Sequence, residues 1–445
     1  MSKNSLALKL YGLLVLIIFG GIVITAPLTV WIGTLLPREL LIVKSWKEIL
    51  MGVALVLACL EVTRHHLWGV LWRDWVVRLI AAFALLHVAL LAWDYQGLKS
   101  AEAGILIDLR YVLYFMLVYV LVRIAPWYRL RVLVVGACGA VVVVAFGTLQ
   151  LFLPRDILAH IGYGPKTIQP YLTVDKNPNY VRINSTLRGP NPLGAYVGIV
   201  LTAVAAFLAR HKRRVQTRWQ WVGLWIFTVC ALVTLWLSYS RSAWLGTALA
   251  LILVVLIVVR GQIMRALRSS RWVWVGAVIV ILVAAAAFGR SHFIDNVVLH
   301  DNPVTGSKVK SDQAHLTSLE NGTVRMLRQP LGGGIGSTGS ASLLGNDKNI
   351  VENQYLFVAH ESGWIGLVLF VALYVLVLLR TWRLRQDWLA LTVFASGIGL
   401  ALIGLMLPVF ADDTVSIIWW GLAGVAYAGV ESRGHGRKSS HQKTA

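Results

Sequence analysis

Three arginines stand directly ahead of long apolar runs in this 445-residue sequence. Arg182 and Arg188 fall in the stretch RINSTLRGPNPLGAY, and Arg241 falls in LWLSYSRSAWLG. In the first stretch, Asn191 followed by proline is typical of a helix that starts with an asparagine cap. Arginine binds phosphate oxygens through a two-pronged fork, and helix N-termini attract anions, so this spacing predicts a phosphate site.

Side chains that could accept a proton lie mainly in a later polar segment, about 290–354. His315 is the first candidate for a general base, because histidine titrates near neutral pH. Glu352 is the second candidate, and it stands where a further apolar run begins. The third is the adjacent pair Asp412 and Asp413. Arginines on a phosphate beside such a base would suit a transfer reaction with a phosphate or pyrophosphate leaving group.

A glycine-rich stretch, PLGGGIGSTGS at 330–340, lies in the same polar segment. Successive backbone N–H groups in such a stretch can form a nest for an anion. The stretch lacks the lysine of a nucleotide-binding loop, and the pattern G-x-x-x-x-G-K-[ST] does not occur in the sequence. We therefore favour a tight structural loop over an anion site here, and we do not expect ATP to bind.

Membrane-spanning helices are the elements that must position these residues. Hydrophobic residues make up 58% of the sequence and charged residues only 14%, which excludes a soluble domain of this length. We predict an all-α polytopic membrane protein, with residues 1–445 as one transmembrane domain and outward loops at 153–191 and 290–354. Apolar runs predict about 12 spans, near 10–34, 46–62, 76–93, 104–122, 131–152, 192–209, 220–238, 242–259, 272–289, 355–379, 388–408 and 415–430.

The short loops between the predicted spans alternate in charge. Loops after even-numbered spans are basic, such as RHKRRVQTR and RTWRLRQD, whereas loops after odd-numbered spans, such as PVFADDT, are poor in lysine and arginine. The positive-inside rule then places both termini in the cytoplasm and both long loops outside. Topology thereby explains the net charge of +21, so membrane lipids are expected partners and nucleic acid is not.

This topology makes the three arginines unusual, because it places them on the side where basic residues are scarce. Arg241 falls in an outer turn so short that its side chain must lie at the membrane boundary. A charge toward the bilayer centre costs on the order of 2.5–3.5 kcal/mol, so an anion should compensate it. A lipid-linked phosphate or pyrophosphate would do so; the alternative is an arginine that reaches ordinary lipid headgroups.

Part of the second long loop shows helical periodicity. The stretch SDQAHLTSLENGTVRMLRQPLG has apolar residues at helical spacing, with a possible break at Asn321-Gly322. It predicts one or two short helices that lie over the membrane face. We expect this part of the loop, which carries His315, to cover the outer ends of the sixth and eighth spans, where the arginines are.

Taken together, RGPNPLGAY, SYSRSAWLG and HLTSLENG…RQPLGGGIG…ENQYL…ESGWIG resemble the O-antigen ligase and O-antigen polymerase superfamily. These are bacterial inner-membrane glycosyltransferases of the GT-C type. The resemblance implies transfer of a glycan from undecaprenyl pyrophosphate to lipid A-core on the periplasmic side. It also implies inversion of configuration without a metal or other cofactor, and it assigns Arg188 and Arg241 to the pyrophosphate. We add Arg182 and Asn191 to that site as neighbours.

One departure from the family pattern concerns the base, and several functions remain open. Many ligases carry His-Asn where this sequence has Glu352-Asn353, so the role falls to His315 or to Glu352. An O-antigen polymerase and a protein O-oligosaccharyltransferase would use the same donor. A transporter would need ionisable residues deep in several spans and matching halves; Asp108 and Arg110 are the clearest such pair, and the halves show no symmetry.

Overall fold

The protein is an array of helices with one small β-hairpin. A computed structural model describes residues 5–36, 40–174, 177–211, 214–269, 311–345 and 348–429. Side chains are described in these ranges except at 40–41, 260–269 and 311–315. The predicted ninth span, 272–289, lies outside the described residues.

Helices follow one another closely in the first third of the chain. They are α1 (Leu6–Gly21), α2 (Thr25–Leu35), α3 (Leu40–Lys44), α4 (Trp46–Arg64), α5 (Trp68–Leu71), α6 (Trp75–Leu90), α7 (Leu98–Ile124) and α8 (Tyr128–Leu149). A 3-10 turn, Ile22–Ile24, joins α1 to α2 and breaks the first predicted span. Pro27 lies in the first turn of α2, and because proline has no N–H it cannot continue the hydrogen bonds of α1.

The first long outer loop contains strands that were not predicted. A short 3-10 helix, Ile157–Ile161, is followed by an antiparallel hairpin of β1 (Tyr171–Val174) and β2 (Asn177–Ile183). Tyrosine, threonine, valine and isoleucine favour such extended backbone. Arg182 pairs with Leu172 in this hairpin. The hairpin is therefore an addition to an otherwise helical fold, and it holds one of the three arginines in a hydrogen-bonded strand.

The rest of the chain is again helical. It forms α9 (Pro190–His211), α10 (Arg218–Leu237), α11 (Arg241–Ser269), α12 (Ser311–Arg328), α13 (Gly339–Ser342), α14 (Gln354–Arg383), α15 (Trp388–Gly404) and α16 (Asp413–Ala428).

Among the described residues, 7 helical segments are long and apolar enough to cross a membrane. They are Leu6–Leu35, Leu98–Ile124, Tyr128–Leu149, Pro190–His211, Arg218–Leu237, Arg241–Val259 and Gln354–Arg383. The helices at four further predicted spans, α4, α6, α15 and α16, are shorter or carry more charge. The chain is thus a polytopic membrane protein, and the number of 12 spans stays a prediction.

Helix α12 differs from its prediction in two respects. It runs without a break through Asn321-Gly322, and a Cβ added at Gly322 would lie only 3.0 Å from Leu356 Cδ1, so glycine permits a close approach there. Its main packing partner in the described chain is α14, instead of the sixth and eighth spans. Trp364 of α14 fixes this contact by donating a 2.7 Å hydrogen bond from Nε1 to the carbonyl of Met326.

Polar contacts at one end of the bundle join segments that the charge pattern predicts to be cytoplasmic. Arg129, in the first turn of α8, donates hydrogen bonds from Nη2 to both carboxylate oxygens of Asp387 at 2.9 and 2.8 Å. Arg210, at the end of α9, donates a 3.0 Å hydrogen bond to the carbonyl of Arg385. The basic loops therefore meet at one end of the molecule, in agreement with their common predicted side.

We expect a phosphatase fused after Gly306 to be active and one fused after Arg214 to be inactive. Alkaline phosphatase needs its disulfides, which form outside the cytoplasm, so its activity reports the side of the membrane. Gly306 lies outside the described residues, and Arg214 lies between α9 and α10. The reverse pattern of activity would place the three arginines in the cytoplasm and would refute an outer phosphate site.

Candidate active site

Helices α9 and α11 begin side by side. A Cβ added at Gly194 would lie 2.6 Å from Ala243 Cβ, and one at Gly198 would lie 2.4 Å from Thr247 Oγ1. Residues near the start of α9 thus touch residues near the start of α11, so the two helices begin at the same level. Their unpaired N-terminal N–H groups and positive dipole ends lie at the same end of the bundle, which suits an anion.

Arg182 connects the hairpin to both helix starts. Its Nε donates a 2.9 Å hydrogen bond to the carbonyl of Ser238, in the turn before Arg241, and its Nη2 donates a 2.6 Å hydrogen bond to Asn191 Oδ1. Helix α9 begins at Pro190, one residue before the predicted cap, because proline suits the first helical position. Asn191 is therefore not a cap; its side chain accepts a hydrogen bond from Arg182 instead.

Each arginine loop contains a residue other than glycine in the left-handed region. These are Ser185, with φ of 49°, and Tyr239, with φ of 44°. Such a conformation costs on the order of 1–3 kcal/mol and persists only where its surroundings hold it. Ser185 is held at both polar groups: its N–H donates to Gln150 Oε1 at 2.9 Å, and its Oγ donates to the carbonyl of Val143 at 2.7 Å. The backbone of the loops that carry the arginines is thus held in a defined conformation.

Arg241 is the first residue of α11 and is partly exposed, directly after the buried Ser240. The hairpin packs on the turn before it, with the rings of Tyr180 and Tyr239 edge to face at 6.1 Å between centroids. The structure therefore brings the predicted site residues Arg182 and Asn191 to the turn that carries Arg241.

Arg188 lies within electrostatic range of the acidic pair at the start of α16, in which Asp413 is buried and Asp412 is half-buried. Burial and the adjacent Asp413 raise the pKa of Asp412 to about 6, against the opposing charges of Arg188 and Arg110. Burial alone would raise the pKa of Asp413, but Lys47 and the two arginines lower it to about 2. The Arg188 side chain is exposed and makes no hydrogen bond within the described chain, so its guanidinium fork is open to a phosphate.

The acidic pair itself is engaged within the protein and is a poor candidate for the base. Asp412 caps α16, with Oδ1 accepting hydrogen bonds from the N–H groups of Thr414 and Val415 at 3.0 Å each. Asp413 forms a buried ion pair with Lys47 Nζ at 3.1 Å. These contacts favour a role for Asp412 and Asp413 in balancing the positive charge of Arg188.

Glu352 lies two residues before α14 and is half-buried. The following residue, Asn353, caps α14 and donates a 2.8 Å hydrogen bond from Nδ2 to the carbonyl of Leu405. Gln354 accepts a 2.7 Å hydrogen bond at Oε1 from the N–H of Phe410. These two hydrogen bonds therefore tie the start of α14 to the loop between α15 and α16, which leads into the acidic pair.

His315 belongs to α12, but its side chain lies outside the described residues. Its backbone is near the start of that helix, four residues after Ser311. Neither His315 nor Glu352 is thereby assigned as the base, and both roles stay predictions.

The glycine-rich stretch 330–340 forms a largely buried loop around an internal carboxylate. The N–H groups of Gly336 and Thr338 donate to the two oxygens of Glu361 at 3.0 and 3.3 Å. Gly332, Gly334 and Gly336 have φ between 82° and 84°, a region that glycine adopts without strain. These N–H groups are thus unavailable to a phosphate. In the sequence, the position of Glu361 inside an apolar span is the feature that indicates a buried polar contact of this kind.

The buried ionisable residues of α7 face different partners. Asp108 lies 3.4 Å from His87 Nε2, whereas Arg110 donates to the carbonyl of Ala411 and lies 4.0 Å from Glu48. Asp108 and Arg110 are two positions apart on the helix and therefore do not share a face. They do not form the intramembrane ion pair that a transporter would need. Within the described ranges, no group of three or more His, Cys, Asp or Glu residues could hold a metal ion.

We expect Gly194→Ala to damage the site without removing an arginine. The new Cβ would lie 2.6 Å from Ala243 Cβ, so the two helix starts must separate, and such overpacking costs about 1–3 kcal/mol. Gly223→Ala in α10 is the matched control, because nothing lies within 4 Å of its Cβ. Thermal unfolding in detergent and transfer assays should both distinguish the variants. Equal melting temperatures would contradict the close approach of α9 and α11.

Comparison with known proteins adds one match. Residues 226–371 match the model of the Wzy_C family, which is described as O-antigen ligase. The matched region contains Arg241, His315 and Glu352, whereas Arg182 and Arg188 precede it. No curated protein matches the chain. Residues 226–371 are therefore similar to the Wzy_C domain, which O-antigen ligases and O-antigen polymerases share.

Proposed function

We propose that the protein is an O-antigen ligase. It would transfer a glycan from undecaprenyl pyrophosphate to lipid A-core, at the periplasmic face of the bacterial inner membrane, in lipopolysaccharide synthesis. The observation that carries the proposal is the pair of adjacent helix starts with their arginines, beside and within a Wzy_C domain. Paired helix N-termini and arginine forks suit a pyrophosphate group at the membrane boundary.

In the proposed reaction, an acceptor hydroxyl attacks the anomeric carbon of the donor sugar. A new carbon–oxygen bond forms while the bond to pyrophosphate breaks, which inverts the configuration at that carbon. Arg188 and Arg241 stabilise the charge that develops on the leaving pyrophosphate. Arg182 and Asn191 hold the turn before Arg241 in place. The proton of the acceptor passes to His315 or Glu352, and the proposal includes no metal or other cofactor.

The second candidate is an O-antigen polymerase, because ligases and polymerases share the Wzy_C domain. It would use the same arginine site for the same donor and extend a second lipid-linked glycan. A protein O-oligosaccharyltransferase is the third candidate and differs only in its acceptor.

Lipopolysaccharide profiling of a deletion strain should separate these functions. For a ligase, we expect all long chains to be lost from lipid A-core while lipid-linked polymer accumulates, because the final transfer is missing. Core capped with a single repeat unit would indicate a polymerase instead. An unchanged profile with loss of glycan from a protein would indicate an oligosaccharyltransferase. Re-expression of the intact gene serves as the control.

A further inference from the structure

A groove of about 410 Å³, lined by polar and apolar residues, separates α12 from the segment that precedes α14. Helix α12 contributes Thr317, Ser318, Asn321 and Arg325 to one wall, and residues 349–351 form the other. The volume falls within the range of about 300–1,000 Å³ that is typical of small-molecule sites. The proposed donor site at the starts of α9 and α11 does not use any of these residues.

The groups that line the groove suit a sugar. Two hydroxyl groups, on Thr317 and Ser318, and two side-chain amides, on Asn321 and Asn349, can donate and accept hydrogen bonds with neighbouring sugar hydroxyls. Arg325 adds a fixed positive charge that can bind two oxygens at once. None of the described lining residues is acidic. The groove therefore favours a sugar that carries a negatively charged group.

Buried contacts hold both walls in place. Asn349 Nδ2 lies 3.1 Å from Nε2 of His360, which is itself 7% exposed. The Nδ1 atom of His360 is buried without a hydrogen-bond partner among the described residues, so Asn349 is the side chain that fixes this ring. On the other wall, Gly322 packs α12 against Leu356. A groove between walls fixed in this way needs little rearrangement to bind a ligand.

The groove also lies between the two candidate bases along the chain. His315 stands two residues before Thr317 on α12, and Glu352 directly follows Val351. A sugar in the groove would thus lie near the residue that takes its proton, whichever of the two that is. We propose that this groove binds the acceptor glycan through a sugar bearing a phosphate or carboxylate group. The proposal rests on the proposed ligase function and adds the place and the chemistry of acceptor recognition.

The test compares Arg325→Ala with Arg328→Ala in the full-length protein. Both residues are exposed on the last turns of α12, but only Arg325 lines the groove. Transfer is measured with lipid-linked donor at saturation and with purified lipid A-core as the titrated acceptor. We expect Arg325→Ala to raise the KM for the acceptor about tenfold or more, because a charge-assisted hydrogen bond is lost. Arg328→Ala should keep the KM of the unaltered protein.

Three outcomes would overturn the proposal or its basis. Equal acceptor KM values for the two variants would show that the groove does not bind the acceptor. A rise in the donor KM in place of the acceptor KM would assign the groove to the donor glycan. Absence of any transfer to lipid A-core by the unaltered protein would refute the ligase function itself. Arg325→Lys, which keeps the charge but not the fork, should fall between the alanine variant and the unaltered protein.

Discussion

Replacing Arg241 by alanine is expected to lower the rate of glycan transfer about 10²–10³-fold, the usual cost of losing one preorganised donor to a developing charge. Arg188→Ala should have an effect of the same size. In the proposed reaction both guanidinium groups stabilise the pyrophosphate as it leaves, and neither water nor a neighbouring side chain can copy that geometry. Initial rates of transfer from lipid-linked donor, measured with purified protein, test the expectation.

Two further variants make the arginine test specific. Lysine at position 241 should restore transfer only in part, because an ammonium group is a point charge without the bidentate fork. Arg218→Ala is the matched control: Arg218 is the first residue of α10, as Arg241 is of α11, but it belongs to a loop that is predicted to be cytoplasmic. Near-normal transfer by Arg241→Ala would remove that residue from the pyrophosphate site.

The second large effect is expected from the base. We expect His315→Ala to lower transfer about 10²–10⁴-fold, the usual contribution of general acid–base catalysis, and to leave donor binding unchanged. The base acts on the acceptor hydroxyl, so its loss should not weaken the hold of the arginines on pyrophosphate. Arginine cannot take this role because it stays protonated. Donor binding and transfer are therefore measured separately on the same preparation.

Glu352→Gln, assayed in parallel, decides between the two candidates. The change keeps the size of the half-buried side chain and removes its ability to accept a proton. If Glu352→Gln loses transfer but binds donor, while His315→Ala transfers normally, the base is Glu352 and the prediction for His315 is wrong. Melting temperatures of both variants separate a catalytic loss from a loss of folding.

The helices could be predicted from the sequence because a bilayer leaves few choices. A segment of about 20 apolar residues must satisfy its own backbone hydrogen bonds, so its type and approximate place follow from composition. The hairpin at 171–183 was missed because two such short strands show too little periodicity to stand out. The predicted start of α9 is two residues too late because either Pro190 or Pro192 can occupy the first helical position.

Distances between segments far apart in the chain could not be predicted. The residue type of the arginines and their place ahead of apolar runs single them out, but nothing in the sequence indicates that Arg188 lies within electrostatic range of Asp412. Likewise, the periodicity of α12 indicates an apolar face without indicating which helix covers it, so α14 was not expected as its partner. Packing between such segments depends on the whole arrangement of helices, which single-sequence patterns do not contain.

The buried glycine-rich loop also has a consequence for how the protein is made. Ser100, at the start of α7, donates a 2.7 Å hydrogen bond to the carbonyl of Gly336, 236 positions later. The ribosome therefore delivers α7 to the membrane long before the loop and the Glu361 carboxylate that it surrounds exist. Until α14 has been inserted, the polar groups of α7 at this end lack their final partners. The outer face can be completed only near the end of biosynthesis, and a chain that stops before α14 lacks these contacts.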